Sequence, residues 1–325
     1  MKAVICKEYG DYHDLAFEEM DDPTPGPGQV CIDVRAAGLN FPDLLLVQGL
    51  YQMKPPTPFV PGAECAGVIS ALGEGVSRFA VGDRVIAYTM NGAFAQKVVV
   101  AEASLARLPE GMDFDVGAGI TTTYATSYYA LKQRANLQPS ESLAVLGAAG
   151  GVGLAAVELG AAMGANVIAA ASTQEKLDLT AAHGATSLIN YEKDELKAAL
   201  KEATGGKGAD VIYDPVGGKY AEPALRAIGW NGRYLVIGFA AGDIPKIPLN
   251  LVLLKTASIV GVFWGAWAMR DPAAHAQNMA EIFDFYKQGK IKATVTKRYD
   301  MQDFMGGFDA LAKREAKGKL VLISS

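Results

Sequence analysis

The stretch LGAAGGVGLAA, from Leu146 to Ala156, constrains the fold of this chain more than any other, because eight of its eleven residues are glycine or alanine. An apolar strand, Leu143–Gly147, is predicted to end within its first residues, and a helix of small residues, Val152–Met163, is predicted to begin within its last ones. A strand, a glycine turn and a helix in this order form the part of a βαβ unit where a phosphate can approach the amides at a helix N-terminus. The stretch therefore predicts a wound α/β domain with an anion-binding turn.

From residue 122 onward, short apolar strands alternate with helical segments. Strands are predicted at Leu143–Gly147, Asn166–Ala171, Ser187–Ile189, Asp210–Tyr213, Arg233–Gly238 and Ser258–Val262. Helices are predicted between them at Val152–Met163, Gln174–His183, Leu196–Ala203 and Tyr220–Ile228. Six strands joined by helical crossovers indicate a doubly wound parallel sheet.

The part of the chain before residue 122 has a different pattern, in which short β runs are separated by turns rich in glycine and proline. These runs are Met1–Cys6, Gln29–Ala37, Ala66–Leu72, Arg84–Tyr88 and Ala93–Val100. They predict a compact, partly open β-barrel. The tail is predicted as alternating helices and strands, at Ala274–Gln288, Ala293–Tyr299, Phe304–Ala312 and Lys319–Ile323. Its strands have no place in the wound sheet, so we expect them to join the barrel.

Composition argues against several classes of function. Half of the residues are hydrophobic and a fifth are charged, as in a globular enzyme. The net charge of −5 gives no general attraction to nucleic acid or anionic lipid. Three separated cysteines, Cys6, Cys31 and Cys65, form no disulfide framework and suggest a reducing compartment. With no secretory signature and no spanning helix expected in the weakly charged stretch 141–175, we predict a cytoplasmic protein without a membrane partner.

The residues Ala148-x-Gly150-x-x-Gly153 match the dinucleotide-binding fingerprint, with alanine in its first position. Gly150 would let a pyrophosphate reach the backbone, and Gly153 would let helix and strand pack closely. A tight turn without a ligand is the alternative. The location between a strand and a helix favours dinucleotide binding.

The end of the next strand decides which dinucleotide is favoured. An NAD site usually places an acidic residue there, whereas this chain has Ala170-Ala-Ser-Thr-Gln174. Ser172 can hydrogen-bond a 2′-phosphate and Lys176 can neutralise it. These residues favour NADPH, with an ordinary surface lysine at 176 as the alternative.

Motifs along the whole chain resemble the zinc-free NADPH:quinone oxidoreductase (zeta-crystallin-like) branch of the medium-chain dehydrogenase/reductase superfamily. The stretches that carry the resemblance are Ala37-Gly-Leu-Asn-Phe-Pro-Asp43, Pro61-Gly-Ala-Glu-Cys-Ala-Gly-Val68, Val81-Gly-Asp-Arg-Val85, Thr126-Ser-Tyr-Tyr-Ala-Leu131, Ala148-Ala-Gly-Gly-Val-Gly153, His183-Gly-Ala185, Ile189-Asn-Tyr191, Asp214-Pro-Val-Gly-Gly218 and Gly318-Lys-Leu-Val321. The resemblance implies a GroES-like catalytic domain at residues 1–121 and 265–325, and a Rossmann NADPH-binding domain at residues 122–264. It also implies a homodimer or homotetramer formed through the edge of the Rossmann sheet.

The resemblance further assigns residues to the NADPH site. They are Asn40 and Thr126 near the nicotinamide; Gly150, Gly151, Val152 and Gly153 at the pyrophosphate; Ser172, Lys176 and Tyr191 around the 2′-phosphate; Phe239 and Phe263 along the cofactor; and Arg314 near its phosphates. For the two phenylalanines, core packing at the strand ends is an equally good interpretation.

The residues that hold zinc in other members of the superfamily are missing from this sequence. Those enzymes have a cysteine where this chain has Asn40, and a His-Glu pair where it has Ala63-Glu64. Zinc at such a site needs thiolate and imidazole ligands, and the three histidines of this chain are far apart in the sequence. We therefore predict no metal.

Without a Lewis acid a simple alcohol is hard to oxidise, but a reduced nicotinamide can still pass hydride to a quinone or an α,β-unsaturated carbonyl. Asn40 can donate an amide N–H and Tyr51 a phenol O–H to the acceptor oxygen, and with Thr126 they are the predicted catalytic residues. Relatives often carry an aromatic hydroxyl where this chain has Leu45, and Tyr51 could be an ordinary loop tyrosine. The favoured function is an NADPH-dependent quinone reductase acting on a small apolar electrophile.

Two other functions remain open. Reduction of a conjugated C=C bond in an enal, enone or enoyl thioester would use the same scaffold. A structural or nucleic-acid-binding role belongs to a different class, and the acidic charge balance without a basic stripe argues against it. The stretch Gly261–Trp267 could form the wall of an apolar acceptor pocket or a subunit interface of paired strands.

Overall fold

The computed structural model describes residues 1–324, which form two compact units. Unit 1 comprises Met1–Thr122 and the chain from Ala293 onward, and unit 2 comprises Thr123–Lys292. The sequence predicted a boundary at residue 264, whereas the structure keeps residues 265–292 in unit 2. None of the helices in the described part of the chain has the length and apolarity needed to cross a bilayer.

The elements follow one another along the chain as strands β1–β15 and helices α1–α10. The strands are β1 (Lys2–Ile5), β2 (Ala16–Glu19), β3 (Gln29–Leu39), β4 (Glu64–Leu72), β5 (Arg84–Tyr88), β6 (Lys97–Ala101), β7 (Leu105–Arg107), β8 (Ser142–Leu146), β9 (Asn166–Ala171), β10 (Ser187–Asn190), β11 (Ala209–Asp214), β12 (Ile228–Val236), β13 (Ser258–Gly261), β14 (Val295–Asp300) and β15 (Lys319–Ile323). The helices are α1 (Phe41–Val47), α2 (Phe114–Tyr129), α3 (Gly151–Ala162), α4 (Gln174–Ala181), α5 (Leu196–Ala203), α6 (Ala221–Arg226), α7 (Asn250–Leu253), α8 (Trp264–Arg270), α9 (Pro272–Lys287) and α10 (Met305–Ala312).

Unit 1 contains a mixed seven-stranded sheet in the order β14-β15-β3-β4-β5-β7, with β6 paired to β3. β14 and β15 are parallel, and the other pairs are antiparallel. Val30, Ile32 and Val34 alternate along β3 and pack into the core of this unit. Because β15 pairs with the end of β3, Leu320 lies opposite Leu39. This pairing brings the last strand of the chain beside the start of α1.

Unit 2 contains six parallel strands in the order β10-β9-β8-β11-β12-β13. The chain runs outward from β8 through β9 and β10, and then returns to β11 and runs outward on the other side. In open α/β sheets, ligands bind beyond the carboxyl ends of the strands at this reversal point. The predicted α/β fold, with a doubly wound six-stranded sheet and a separate β domain, is confirmed.

The structure differs from the predicted elements mainly in its helices. The sequence did not predict four of them, α1, α2, α7 and α8. In α2 the β-favouring run of threonines and tyrosines is helical because packing overrides propensity: Ile120, Tyr124 and Ala125 are buried.

The strand does not continue through Gly261–Trp267, because β13 ends at Gly261 and α8 begins at Trp264. A place for this stretch at a subunit interface stays a prediction. Trp267 stacks on Tyr129 with ring centroids 4.3 Å apart. Glu281 of α9 accepts a hydrogen bond of 2.5 Å from Tyr128. These contacts with the end of α2 explain why residues 265–292 belong to unit 2.

Candidate active site

The glycine turn after β8 depends on Gly147. Its φ of +56° is left-handed, and a Cβ there would lie 2.7 Å from Val216 Cγ2. A side chain is therefore excluded both by backbone conformation and by space. The predicted fingerprint began at Ala148, and Gly147 was assigned to the end of the predicted strand Leu143–Gly147, whereas β8 ends at Leu146 and Gly147 already belongs to the turn.

The two later glycines of the turn have different roles. A Cβ on Gly153 would lie 2.3 Å from the Gly147 carbonyl oxygen, so this glycine allows the turn and α3 to pack. A Cβ on Gly150 would meet only that same oxygen, at 3.4 Å. Gly150 is thus not needed for packing, and its missing side chain leaves room for a ligand.

Helix α3 begins directly at the turn. Its hydrogen-bond ladder starts with the amide of Leu154, which donates to the Gly150 carbonyl at 2.8 Å. The amides of Gly151, Val152 and Gly153 belong to the first turn, where no carbonyl of the same helix can accept from them. A phosphate could use these donors and the positive end of the helix dipole.

Three predicted residues lie where β9 and β10 end. Lys176 lies on the first turn of α4, and its Nζ is 3.5 Å from Ser172 Oγ. The amide of Tyr191 donates to the Ala171 carbonyl at 3.2 Å, which fixes Tyr191 next to Ser172. The three residues form a polar corner with a cation, a hydroxyl and a phenol.

The sequence analysis missed three neighbours of this corner. The ring of Tyr220 packs on the ring of Tyr191, with centroids 4.4 Å apart. Tyr220 also donates a hydrogen bond to Glu192, and the Nζ of Lys219 lies 3.7 Å from that carboxylate. The hydrogen bond from Tyr220 is the main cause that holds the pKa of Glu192 below its usual value. Tyr220 and Lys219 come from the segment after β11, which no pattern near Tyr191 in the sequence indicates.

Unit 1 holds a buried polar cluster, formed by Asn40, Asp43, Glu64 and Lys319. Lys319 Nζ lies 2.6 Å from both Glu64 Oε1 and Asn40 Oδ1. Asn40 Nδ2 donates to Glu64 Oε1 at 2.8 Å, and the Asn40 backbone amide donates to Asp43 Oδ2 at 2.8 Å. Glu64 is fully buried and Lys319 is 5% exposed. Lys319 belongs to the Gly318-Lys-Leu-Val321 motif, and the sequence predicted no role for it.

Burial changes the proton affinity of groups in and beside this cluster. Burial raises the pKa of Asp43 to about 7, against the opposing hydrogen bond from Asn40 and the charge of Lys319. Burial also raises the pKa of Tyr51, and the charge of Asp43 adds to this effect. Tyr51 is therefore a neutral phenol, able to donate a hydrogen bond, throughout the physiological pH range.

The other predicted site residues lie in varied environments. Thr126 is half-buried on α2, and Phe239 is half-buried at the end of β12, near Gly217. Phe263 is 54% exposed between β13 and α8. Arg314 is exposed after α10, in unit 1. Their assignment to a cofactor stays a prediction.

Across residues 1–324, no three His, Cys, Asp or Glu side chains come together in a group that could hold a metal ion. At Asn40 and Glu64, which the resemblance aligns with zinc-ligand positions of other superfamily members, the ammonium of Lys319 lies between the two side chains. The donor set there contains neither the thiolate nor the imidazole that zinc sites use.

Comparison with known proteins finds a matching family for each of the two units. A model of the alcohol dehydrogenase GroES-like domain matches residues 26–110, and a model of the zinc-binding dehydrogenase family matches residues 151–282. The quinone oxidoreductase-like protein 2 homolog of Nematostella vectensis is 37% identical over 325 residues, which cover 99% of this chain and 88% of that protein.

Two solved structures resemble the whole chain. The Escherichia coli quinone oxidoreductase, crystallised with NADPH, has a TM-score of 0.92 at 27% identity, and the match covers 99% of this chain and 100% of that one. The CurK enoyl reductase has a TM-score of 0.87 at 27% identity, covering 100% of this chain and 98% of that one. Identity and architecture extend over the full length, and the chain belongs to the quinone oxidoreductase family of medium-chain dehydrogenases/reductases.

Proposed function

We propose that this chain is an NADPH-dependent reductase of quinones that works without zinc. The observation that carries the proposal is the pairing of two features in unit 2. One is a glycine turn with space at Gly150, and the other is the polar corner of Ser172, Lys176 and Tyr191. The first suits a pyrophosphate and the second suits a 2′-phosphate. The E. coli relative crystallised with NADPH supports the same cofactor.

In this proposal each group of residues has a distinct role. The amides of Gly151, Val152 and Gly153 bind the pyrophosphate, and Lys176 with Ser172 and Tyr191 selects the 2′-phosphate. Bound NADPH would supply the hydride, as reduced nicotinamides do in this class of enzyme. Packing of Tyr220 on the ring of Tyr191 would restrict the motion of that ring, which would reduce the entropy lost on binding.

Unit 1 supplies the groups proposed to act on the substrate. Reduction of a quinone places negative charge on oxygen, which a neutral donor can stabilise. Tyr51 is such a donor, because burial and the charge of Asp43 both raise its pKa. The Lys319 ammonium is bonded to both Glu64 and Asn40, so it holds these two side chains in place.

Reduction of a conjugated C=C bond is the second candidate. It is supported by the likeness to the CurK enoyl reductase over the whole chain. Both reactions deliver hydride to a position conjugated with a carbonyl, so one scaffold can serve either.

We also propose that two copies pair along β13. This strand ends the sheet, and Ile259 on it is 40% exposed. An uncovered apolar edge strand is a template for pairing with another chain.

The deciding experiment follows the absorbance of reduced nicotinamide while the purified chain turns over a panel of quinones, enones and enoyl thioesters. The proposal expects the highest kcat/KM with quinones and a preference for NADPH over NADH. Faster turnover of enones or enoyl thioesters would replace it with the second candidate. No oxidation of NADPH with any acceptor would overturn both.

A further inference from the structure

The orientation of the Asn40 amide follows from its two partners. A lysine ammonium has three N–H donors and no acceptor, whereas a carboxylate has only acceptors. Asn40 lies between Lys319 and Glu64, at 2.6 Å and 2.8 Å. Its oxygen must therefore face Lys319 and its nitrogen must face Glu64, since the reverse arrangement would oppose donor to donor and acceptor to acceptor.

This arrangement uses both amide hydrogens of Asn40. Nδ2 donates to Glu64 Oε1 and, at 3.3 Å, to the Gly38 carbonyl. The Lys319 ammonium in turn reaches a third acceptor, the Leu39 carbonyl, at 3.3 Å. The second oxygen of Glu64 accepts from the Thr122 amide at 2.7 Å. Asn40 is thus left with acceptor capacity on its amide oxygen and no uncommitted N–H.

Two glycines make room for this network. A Cβ on Gly119 would lie 2.7 Å from Lys319 Cγ, and a Cβ on Gly38 would lie 2.5 Å from Glu64 Oε1. The chain keeps space for a buried ion pair, although such pairs often stabilise a protein no better than well-packed apolar residues would. The buried ion pair is therefore better explained by positioning of neighbouring side chains than by stabilisation of the fold.

We propose that Lys319 is a positioning residue of the active site, which holds Asn40 as a hydrogen-bond acceptor. This inference rests on the proposed reductase function. Asn40 then offers a ligand its oxygen and cannot donate to the substrate oxygen. The donor to that oxygen is Tyr51, and Lys319 acts on the reaction only through Asn40.

The test removes the ammonium without leaving an uncompensated buried charge. Lys319→Met alone leaves the Glu64 carboxylate unpaired and threatens the fold. The paired variant Lys319→Met/Glu64→Gln is neutral, and the new glutamine amide keeps an acceptor for the Thr122 amide. Lys297→Met, at an exposed lysine on the adjacent strand β14, is the matched control.

In the paired variant the Asn40 amide can turn over, so we expect kcat to fall roughly 10- to 100-fold, the range that follows from misplacing a catalytic group. NADPH affinity, measured by fluorescence, should change little, because the contacts proposed for the pyrophosphate and the 2′-phosphate lie in unit 2 and are untouched by the two substitutions. The control should keep the wild-type kcat. Wild-type kcat in a folded paired variant would overturn the inference.

A second readout does not depend on turnover. The isotope-labelled side-chain amide of Asn40 should exchange its hydrogens slowly with solvent in the wild type and rapidly in the paired variant. Rapid exchange in the wild type would overturn the orientation. If the wild type reduces no acceptor at all, the proposed function fails, and the exchange measurement still decides how Asn40 is held.

Discussion

The glycine turn in unit 2 and the polar cluster in unit 1 are built in opposite ways. The turn is one continuous stretch of chain, and it works because side chains are missing. The cluster joins residues up to 279 positions apart, and it works through side-chain charge. A site formed by backbone amides can therefore be recognised from a short piece of sequence. A site formed by charged side chains depends on strands that pair only in the folded protein.

The two sites also differ in how a substitution would affect them. In the turn, the effect depends on whether a Cβ meets protein or open space, and Gly150 and Gly153 differ in this respect. In the cluster, the side chains of Asn40, Glu64 and Lys319 bond to one another and that of Asp43 bonds to the Asn40 backbone amide, so removing one side chain leaves a buried polar or charged group behind. Substitutions in the turn should therefore mainly change cofactor binding. Substitutions in the cluster should mainly change protonation or the stability of the fold.

The largest expected effect comes from substitutions that distinguish the roles of Gly150 and Gly153 in the turn. Gly150→Val should abolish NADPH binding in a folded protein, because the side chain would fill space open to the ligand. Gly153→Val should instead destabilise the fold, since its Cβ would lie 2.3 Å from the Gly147 carbonyl oxygen. Calorimetry with NADPH and thermal unfolding distinguish the two. Unchanged NADPH affinity in Gly150→Val would mean that the turn is only structural.

The next largest expected effect concerns Asp43, and it tests whether burial controls the pKa of this carboxyl in the polar cluster. The unfolded Asp43 carboxyl titrates near pH 4 and the folded one near pH 7. Between these values the folded state holds the extra proton, so the contribution of Asp43 to stability falls as pH rises. At about 1.4 kcal/mol per pKa unit, the total is on the order of a few kcal/mol.

Asp43→Asn keeps an oxygen that can accept from the Asn40 amide, and it should remove this pH dependence. The measurement is the free energy of unfolding by denaturant for both proteins from pH 4 to pH 8. The wild type should lose stability relative to the variant up to about pH 7 and run parallel to it above that. A constant difference across the range would show that Asp43 titrates normally.

The smallest effect concerns selectivity at the polar corner. Lys176→Ala should weaken NADPH binding by about 1.5–3 kcal/mol, roughly ten- to a hundred-fold, because it removes a charge-assisted hydrogen bond to the 2′-phosphate. NADH binding should hardly change, and the NADPH preference of the wild type should shrink as salt rises. The ratio of kcat/KM for the two cofactors measures this. An unchanged ratio would place the selective charge on another residue.

More of the fold than of the candidate site could be predicted from the sequence. Strands β8 to β13 alternate with helices and have apolar runs that local pattern reveals, and the predicted parallel sheet is confirmed. Helix α2 could not be found in this way, because its threonines and tyrosines favour strands. Only burial of Ile120, Tyr124 and Ala125 makes it helical.

Within the site, the sequence by itself determined the backbone features. Glycine at 147, 150 and 153 limits what the turn can be, and the lack of an acid near Ser172 favours a phosphate-bearing cofactor. Tertiary structure alone decided that Tyr220 packs on Tyr191 and that Lys319 bonds to Asn40 and Glu64. The physical reason is the separation along the sequence between the residues that interact. Backbone conformation and helix termini are set by neighbours in sequence, whereas the partner of a buried charge is set by which strands lie side by side.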